Sequence, residues 1–146
     1  MDGADSLSGP GSDRLTFPRS RHLKRKRLIE PLFDRSDPSS NSVRVGCVRI
    51  AYRFVPTSTF DEAYQVGVAV GRSRGHAPRR NRVKRMMREA IRHNQIDLER
   101  LAARKGERLT AMFLFQGRDE GSDTILRDTV QVIRKLERSG MATDGI

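Results

Sequence analysis

The chain has 146 residues, enough for one domain with a modest core. Lys and Arg number 29 against 18 Asp and Glu, a formal charge of +11, with 36% hydrophobic residues and no Trp. No apolar run approaches the roughly 20 residues of a membrane helix, and Met1 to Asp13 lack the apolar segment of a signal peptide, so a cytoplasmic protein with a polyanionic partner is expected.

Residues 1–14 contain Gly, Ser and Asp with one Leu and read as a disordered extension, followed by a single domain over 15–138 and a flexible tail over 139–146. From Arg14 to Arg35, eight basic residues stand against Glu30 and Asp34. Leu28, Ile29, Leu32 and Phe33 have helical spacing and predict a short helix ending near Phe33, with Pro31 placed to shorten or kink it. Asp34 to Ser42 is a loop by composition. Val43 to Phe54 alternates as a strand, but the apolar parity switches from Val43, Val45 and Cys47 to Ile50, Tyr52 and Phe54. That asks for a bulge near Gly46 to Val48, or for a later strand start. Cys47, alone of its kind, can form no internal disulfide and suits a core position.

After a turn over Pro56 to Asp61, Tyr64 to Val70 predicts a second strand, with Gln65, Gly67 and Ala69 on one face. A long helix is expected from near Arg79 towards Arg104, closed by Gly106. Leu109 to Phe115 is almost continuously apolar and predicts a central strand. Ile125, Leu126, Val130, Ile133 and Leu136 mark a last helix, capped by Ser122 or Asp123. This order predicts a two-layer α/β (α+β) sandwich of one small mixed sheet and about three helices, with a groove on the sheet face the large helix leaves uncovered.

The chemistry concentrates between Gly71 and Arg92, where nine Lys/Arg stand against Glu89 alone. Val83, Met86, Met87, Ala90 and Ile91 trace an apolar stripe, while Arg80, Lys84 and Arg88 repeat every four residues on another line, with Arg85 and Arg92 beside it. One Arg85–Glu89 pair is available at i,i+4, worth a few tenths of a kcal/mol, too little to neutralise the rest. A basic loop feeding a basic helix is a phosphate-binding surface; the alternative is a solvated charged face. His22, His76 and His93 lack metal-ligand spacing, and no nucleophile-elbow or phosphate-loop motif occurs. A dispersed His/Lys ribonuclease site stays open at this level.

Arg80, Asn81, Arg82, Val83, Lys84 and Arg85, followed by Arg88, Glu89 and Ala90, resemble the signature of the protein component of bacterial ribonuclease P. Val70 to Ala77 is similar to that family's basic, glycine-containing approach, and Phe17 to Ser20, Leu23, Lys24 and Ile29 to Phe33 resemble its opening segment. The likeness covers roughly Leu15 to Arg138. It implies a subunit without catalytic residues, holding no metal itself, whose partner RNA holds Mg2+ and cleaves precursor tRNA. It also implies a left-handed β-α-β crossover, against the usual rule.

By the same resemblance, Arg72, Arg79, Arg80, Asn81, Arg82, Lys84, Arg85 and Arg88 bind the ribonuclease P RNA. Phe17, Ile29, Phe33 and Tyr52 then bind the 5′ leader of precursor tRNA, by stacking or apolar contact. No membrane or DNA partner is implied. Phe33 equally suits a core position. Ile29 stands where the family often has an aromatic residue, Ser73 where a basic one is common, and Pro78 where an aliphatic one is usual. From the charge pattern alone, a ribosomal or general single-stranded RNA-binding protein serves equally well.

Overall fold

A computed structural model describes residues 17–144, with side chains to Ser139. The expected extension over 1–14, and Arg14 and Leu15, lie outside the described residues. Four strands, β1 (Asn41–Val45), β2 (Val48–Val55), β3 (Tyr64–Val70) and β4 (Arg108–Phe115), form one mixed sheet in the order β1-β2-β4-β3. Among the described residues four helices accompany it: α1 (Lys26–Ile29), α2 (Ala77–His93), α3 (Gln95–Lys105) and α4 (Ser122–Asp144). β1 and β2, and β2 and β4, pair antiparallel; β3 and β4 pair parallel, which requires the crossover that α2 and α3 provide.

The expected bulge is a hairpin. Gly46 and Cys47 form a two-residue turn between β1 and β2, and Gly46 has φ +55°. Reversing the chain over two residues is what shifts the apolar parity. A Cβ on Gly46 would also lie 2.2 Å from Oδ2 of Asp128, a buried α4 carboxylate that accepts the Cys47 amide N–H at 3.1 Å and its thiol at 3.3 Å. Burial first, and this carboxylate second, push the Cys47 thiol up to about 12.

The single helix expected from Arg79 to Arg104 is two. It begins earlier, at Ala77, because Pro78 in the first turn gives up only an N–H that would lack a helical partner anyway. It breaks at Asn94 (φ −126°, ψ 24°), whose side-chain amide donates to the Ala90 carbonyl at 2.7 Å. Gly106 ends α3 in the left-handed conformation, as expected. Pro31 ends α1 after one turn, and the chain continues as a 3-10 turn over Glu30–Phe33. The last helix runs through Ser122–Asp144, into the segment expected to be a tail.

The main core lies between the sheet and α2, α3 and α4. Ile50 and Tyr52 of β2, Tyr64 and Val66 of β3, and Phe113 and Phe115 of β4 meet Val83, Met87 and Ile91 of α2 and Ile133 of α4 there. Each large apolar side chain so buried contributes about 1.5–3 kcal/mol, far more than the tenths lost to repulsion along α2. A small second core, Leu23, Leu28, Leu32 and Ala51, lies on the opposite face, beneath α1 and the segment before it. Leu23 donates to the Val66 carbonyl at 2.9 Å, and His22 bridges Val66 in parallel. Gly67 permits this approach, since a Cβ there would meet the Met112 sulfur at 2.7 Å and the Leu23 carbonyl at 3.3 Å.

Candidate nucleic-acid interface

The apolar stripe of α2 fixes which of its charges face outward. With Val83, Met87, Ala90 and Ile91 buried, Asn81, Arg82, Arg85 and Arg88 are exposed and Lys84 is half-buried. None of Arg80, Arg82, Lys84, Arg85 and Arg88 forms an ion pair among the described residues. The expected Arg85–Glu89 pair does not form: Glu89 turns forward to Arg92 at 2.5 Å and His93 at 2.9 Å, which hold its carboxyl below the usual range. Arg85 is thereby left without a carboxylate partner among the described residues. Arg80 is half-buried, and its Nε is enclosed without a hydrogen-bond partner. Asn81 lies in the second turn of α2, which begins at Ala77, and is exposed.

Not every basic residue near this helix is available. Arg79 donates to the Arg118 and Glu120 carbonyls at 2.9 and 3.1 Å, and Arg74 to the Gly117 carbonyl at 3.2 Å. These two tie the approach to α2 onto the loop between β4 and α4, so Arg79 supports the surface from behind. Arg72 is exposed in the preceding 3-10 turn, Arg72–Arg74.

The expected leader residues separate. Tyr52 is corrected: it is only 4% exposed and lies in the main core, its ring 6.1 Å from that of Phe54. Its parity is that of Val48 and Ile50, which face the helices, so it offers no stacking surface to the open face. Phe33, at 47% exposure, does offer one, on a cleft of about 350 Å³ that Arg35, Asn41 and Arg49 also line. Ile29 is half-buried against the second core.

Phe17 is half-buried at the other side of the sheet, with its ring centroid 4.4 Å from that of His22. Together with Lys24, Gly67, Met112 and Arg88 these two line a small pocket beside β3. Arg88, expected with the RNA-subunit group, therefore shares a pocket with Phe17, expected with the leader group. His22 donates Nε2–H to the Phe17 carbonyl at 3.2 Å. Burial chiefly, then the cations Lys24, Arg88 and Arg19, hold its pKa below the ordinary value, so the pocket is cationic even with a neutral imidazole.

Sequence reasoning missed Arg49, which lies on the open face of β2; a lone basic residue in a strand gives no signal until the hairpin register is known. Arg21, one of the eight basic residues between Arg14 and Arg35, is not an open charge. That guanidinium instead donates to Glu62 at 2.9 Å, Glu99 at 2.8 Å, Gln95 at 2.9 Å and the Tyr64 hydroxyl at 3.2 Å. Among the described residues, no group of three or more His, Cys, Asp or Glu could hold a metal ion, and no helix is long and apolar enough to cross a membrane.

A family model described as Ribonuclease P matches residues 17–137. A structure of the Staphylococcus aureus RNase P protein superposes with a TM-score of 0.56 at 15% identity, covering 80% of this chain and 94% of that one. A mutant of the S. aureus protein with defective mRNA degradation activity gives 0.60 at 15%, covering 82% and 90%. No curated protein matches. At such identities the structural likeness speaks for the fold, and the family match carries the assignment. With its basic signature exposed on α2 and its α+β fold shared with RNase P proteins, the chain belongs to the Ribonuclease P family, as a protein component of bacterial, tRNA-processing ribonuclease P.

Proposed function

We propose that the protein docks on the catalytic RNA of ribonuclease P through α2 and receives the 5′ leader of precursor tRNA on its open sheet face. On this reading the protein supplies no catalytic residue, and the Mg2+ ions belong to the RNA. The carrying observation is the set of α2 cations without a carboxylate partner, projecting from a helix that its buried stripe holds against the core. Such charges are pre-positioned, so binding phosphate orders little and releases counterions from the RNA. Arginine adds the planar fork that grips phosphate with two hydrogen bonds.

The open face suits a different strand. A single-stranded leader needs cations along its backbone and an aromatic surface for its bases, and the pocket at Phe17, Lys24 and Arg88 and the cleft at Phe33 supply both. Reconstitution tests the whole reading. The protein with a bacterial ribonuclease P RNA should cleave precursor tRNA at the leader junction, and should favour leader-bearing substrate over mature tRNA. Cleavage by the protein alone, or equal binding with and without a leader, would contradict it and favour a protein-only nuclease or a general RNA binder respectively.

A further inference from the structure

From Arg127 to Arg138 the exposed positions of α4 are Arg127, Gln131, Arg134, Lys135 and Arg138. They recur at helical spacing and so share one face, turned away from the stripe of Ile125, Val132, Ile133 and Leu136 that holds the helix in the main core. Cations and one amide occupy this face, with no carboxylate and no aromatic ring.

The carboxylates that could neutralise it are committed elsewhere. Asp128 is buried and accepts the Cys47 N–H and thiol. Glu137, which i,i+3 spacing offers to Arg134, turns to Arg100 and Arg104 of α3 at 3.7 and 4.0 Å. Arg127 keeps a carboxylate neighbour, with Asp128 Oδ1 3.4 Å from its Nε. Lys135 donates to the Arg44 carbonyl at 3.0 Å, which pins α4 to β1 and leaves the charge uncompensated. Arg134 and Arg138 meet no acceptor among the described residues, and as like charges at i,i+4 they weaken the helix slightly unless an anion binds them. A helix C-terminus favours cations only within its last turn, and α4 continues to Asp144, more than a turn beyond Arg138. A solvated helix face ordinarily mixes both signs of charge, which this one does not.

Such a face fits the backbone of a double-helical RNA. An unpaired strand needs rings on which its bases stack, and a membrane surface needs apolar side chains that insert; the outward face of α4 offers neither. A duplex is held through its phosphates and 2′-hydroxyls, which arginine forks and the Gln131 amide suit. From Arg127 to Arg138 the face extends about 16 Å, enough to follow several phosphates of one strand.

We propose that the outward face of α4 is a second RNA contact, gripping a double-helical segment of the ribonuclease P RNA through Arg134 and Arg138, with Gln131 and Lys135 beside them. This rests on the RNA subunit being the docking partner of α2, and it adds a face on a different helix.

Salt titration of RNA-subunit binding tests it. Arg134→Gln/Arg138→Gln, at two exposed positions, should leave the melting temperature unchanged and lower the log–log slope by about 2 units, at roughly 0.9 per duplex phosphate contact. Gln131→Glu removes no cation but sets a carboxylate within reach of Arg127, Arg134 and Lys135, and should lower the slope too. Arg134→Lys/Arg138→Lys should keep the wild-type slope, because charge sets it. On short synthetic RNAs of equal length, the double Gln variant should lose affinity for a duplex and bind an unpaired strand as wild type does; an equal loss on both overturns the duplex assignment. Wild-type slopes for the double Gln variant and Gln131→Glu, while Arg80→Ala/Arg82→Ala/Arg85→Ala lowers the slope, overturn the α4 contact and leave docking through α2 standing. If that triple variant keeps the slope as well, docking through α2 falls and the α4 contact with it.

Discussion

Arg21 in the N-terminal segment shares its guanidinium among Glu62, Glu99, Gln95 and Tyr64, whereas Arg82, Lys84 and Arg85 on α2 meet no carboxylate among the described residues. The formal charge is alike; the surroundings are opposite. Arg21 also stacks over the Tyr64 ring, 4.8 Å from its centroid, and so locks the segment before α1 onto β3 and α3. Basic residues in this fold thus divide into those held by carboxylates or backbone carbonyls and those left open for the RNA contact proposed above, and partnership separates the two where charge counting cannot. Arg79 and Arg74 belong with Arg21; Arg88 and Arg49 belong with α2.

Aromatic residues divide in the same manner, and they give the largest expected effect. Tyr52→Ala should remove about 3 kcal/mol of stability by opening a cavity in the main core. Phe33→Leu should leave the melting temperature within a degree or two. Thermal denaturation of both variants checks this, and comparable losses at the two positions would break the division.

Arg21→Met should cost about 2 kcal/mol of stability, because Glu62, Glu99 and Gln95 lose a shared donor in a half-buried site. Bonds from Ser20 first and Arg21 second hold the Glu62 carboxyl below its usual range. A carboxyl depressed on folding contributes stability that is present above its unfolded pKa and lost as pH falls through the folded one. The wild-type advantage over Arg21→Met should therefore persist at neutral pH and shrink in acid, below the usual carboxylate range. Urea melts of the two proteins across that range measure it; a difference that grows on acidification would refute the latch.

The smallest effect concerns the leader. Phe33→Leu keeps apolar volume but loses the flat ring, so long-leader substrates should bind the holoenzyme about 1 kcal/mol more weakly, with mature tRNA unaffected. Competition binding with the two RNAs gives the comparison, and equal weakening of both would return Phe33 to a purely structural role.

What the sequence carried was local. The stripe from Val83 to Ile91 named the buried face of α2 and therefore its exposed cations, and continuous apolarity from Leu109 to Phe115 identified the central strand. Tyr52 was misplaced because its facing depends on the hairpin register, which the turn at Gly46 and Cys47 sets and alternation alone could not reveal. The pairing of Arg21 left no trace in the sequence because its partners stand 41 to 78 residues away, and no periodicity records a contact at that separation. The end of α2 was hidden for a third reason: Asn94 breaks the helix through its own side chain, while the apolar spacing runs on to Leu98 and Leu101.

The central claim is that unpartnered cations on α2, and not the charge of the chain as a whole, bind the RNA subunit. Its most direct test is the salt dependence of RNA-subunit affinity for wild type, Arg80→Ala/Arg82→Ala/Arg85→Ala, and Arg21→Met, all checked for native far-UV spectra. The triple variant should lower the log–log slope by about 2 to 3 units, at roughly 0.7 to 0.9 per lost phosphate contact, while Arg21→Met leaves the slope unchanged. An unchanged slope for the triple variant, or an equal drop per charge for Arg21→Met, would contradict the account.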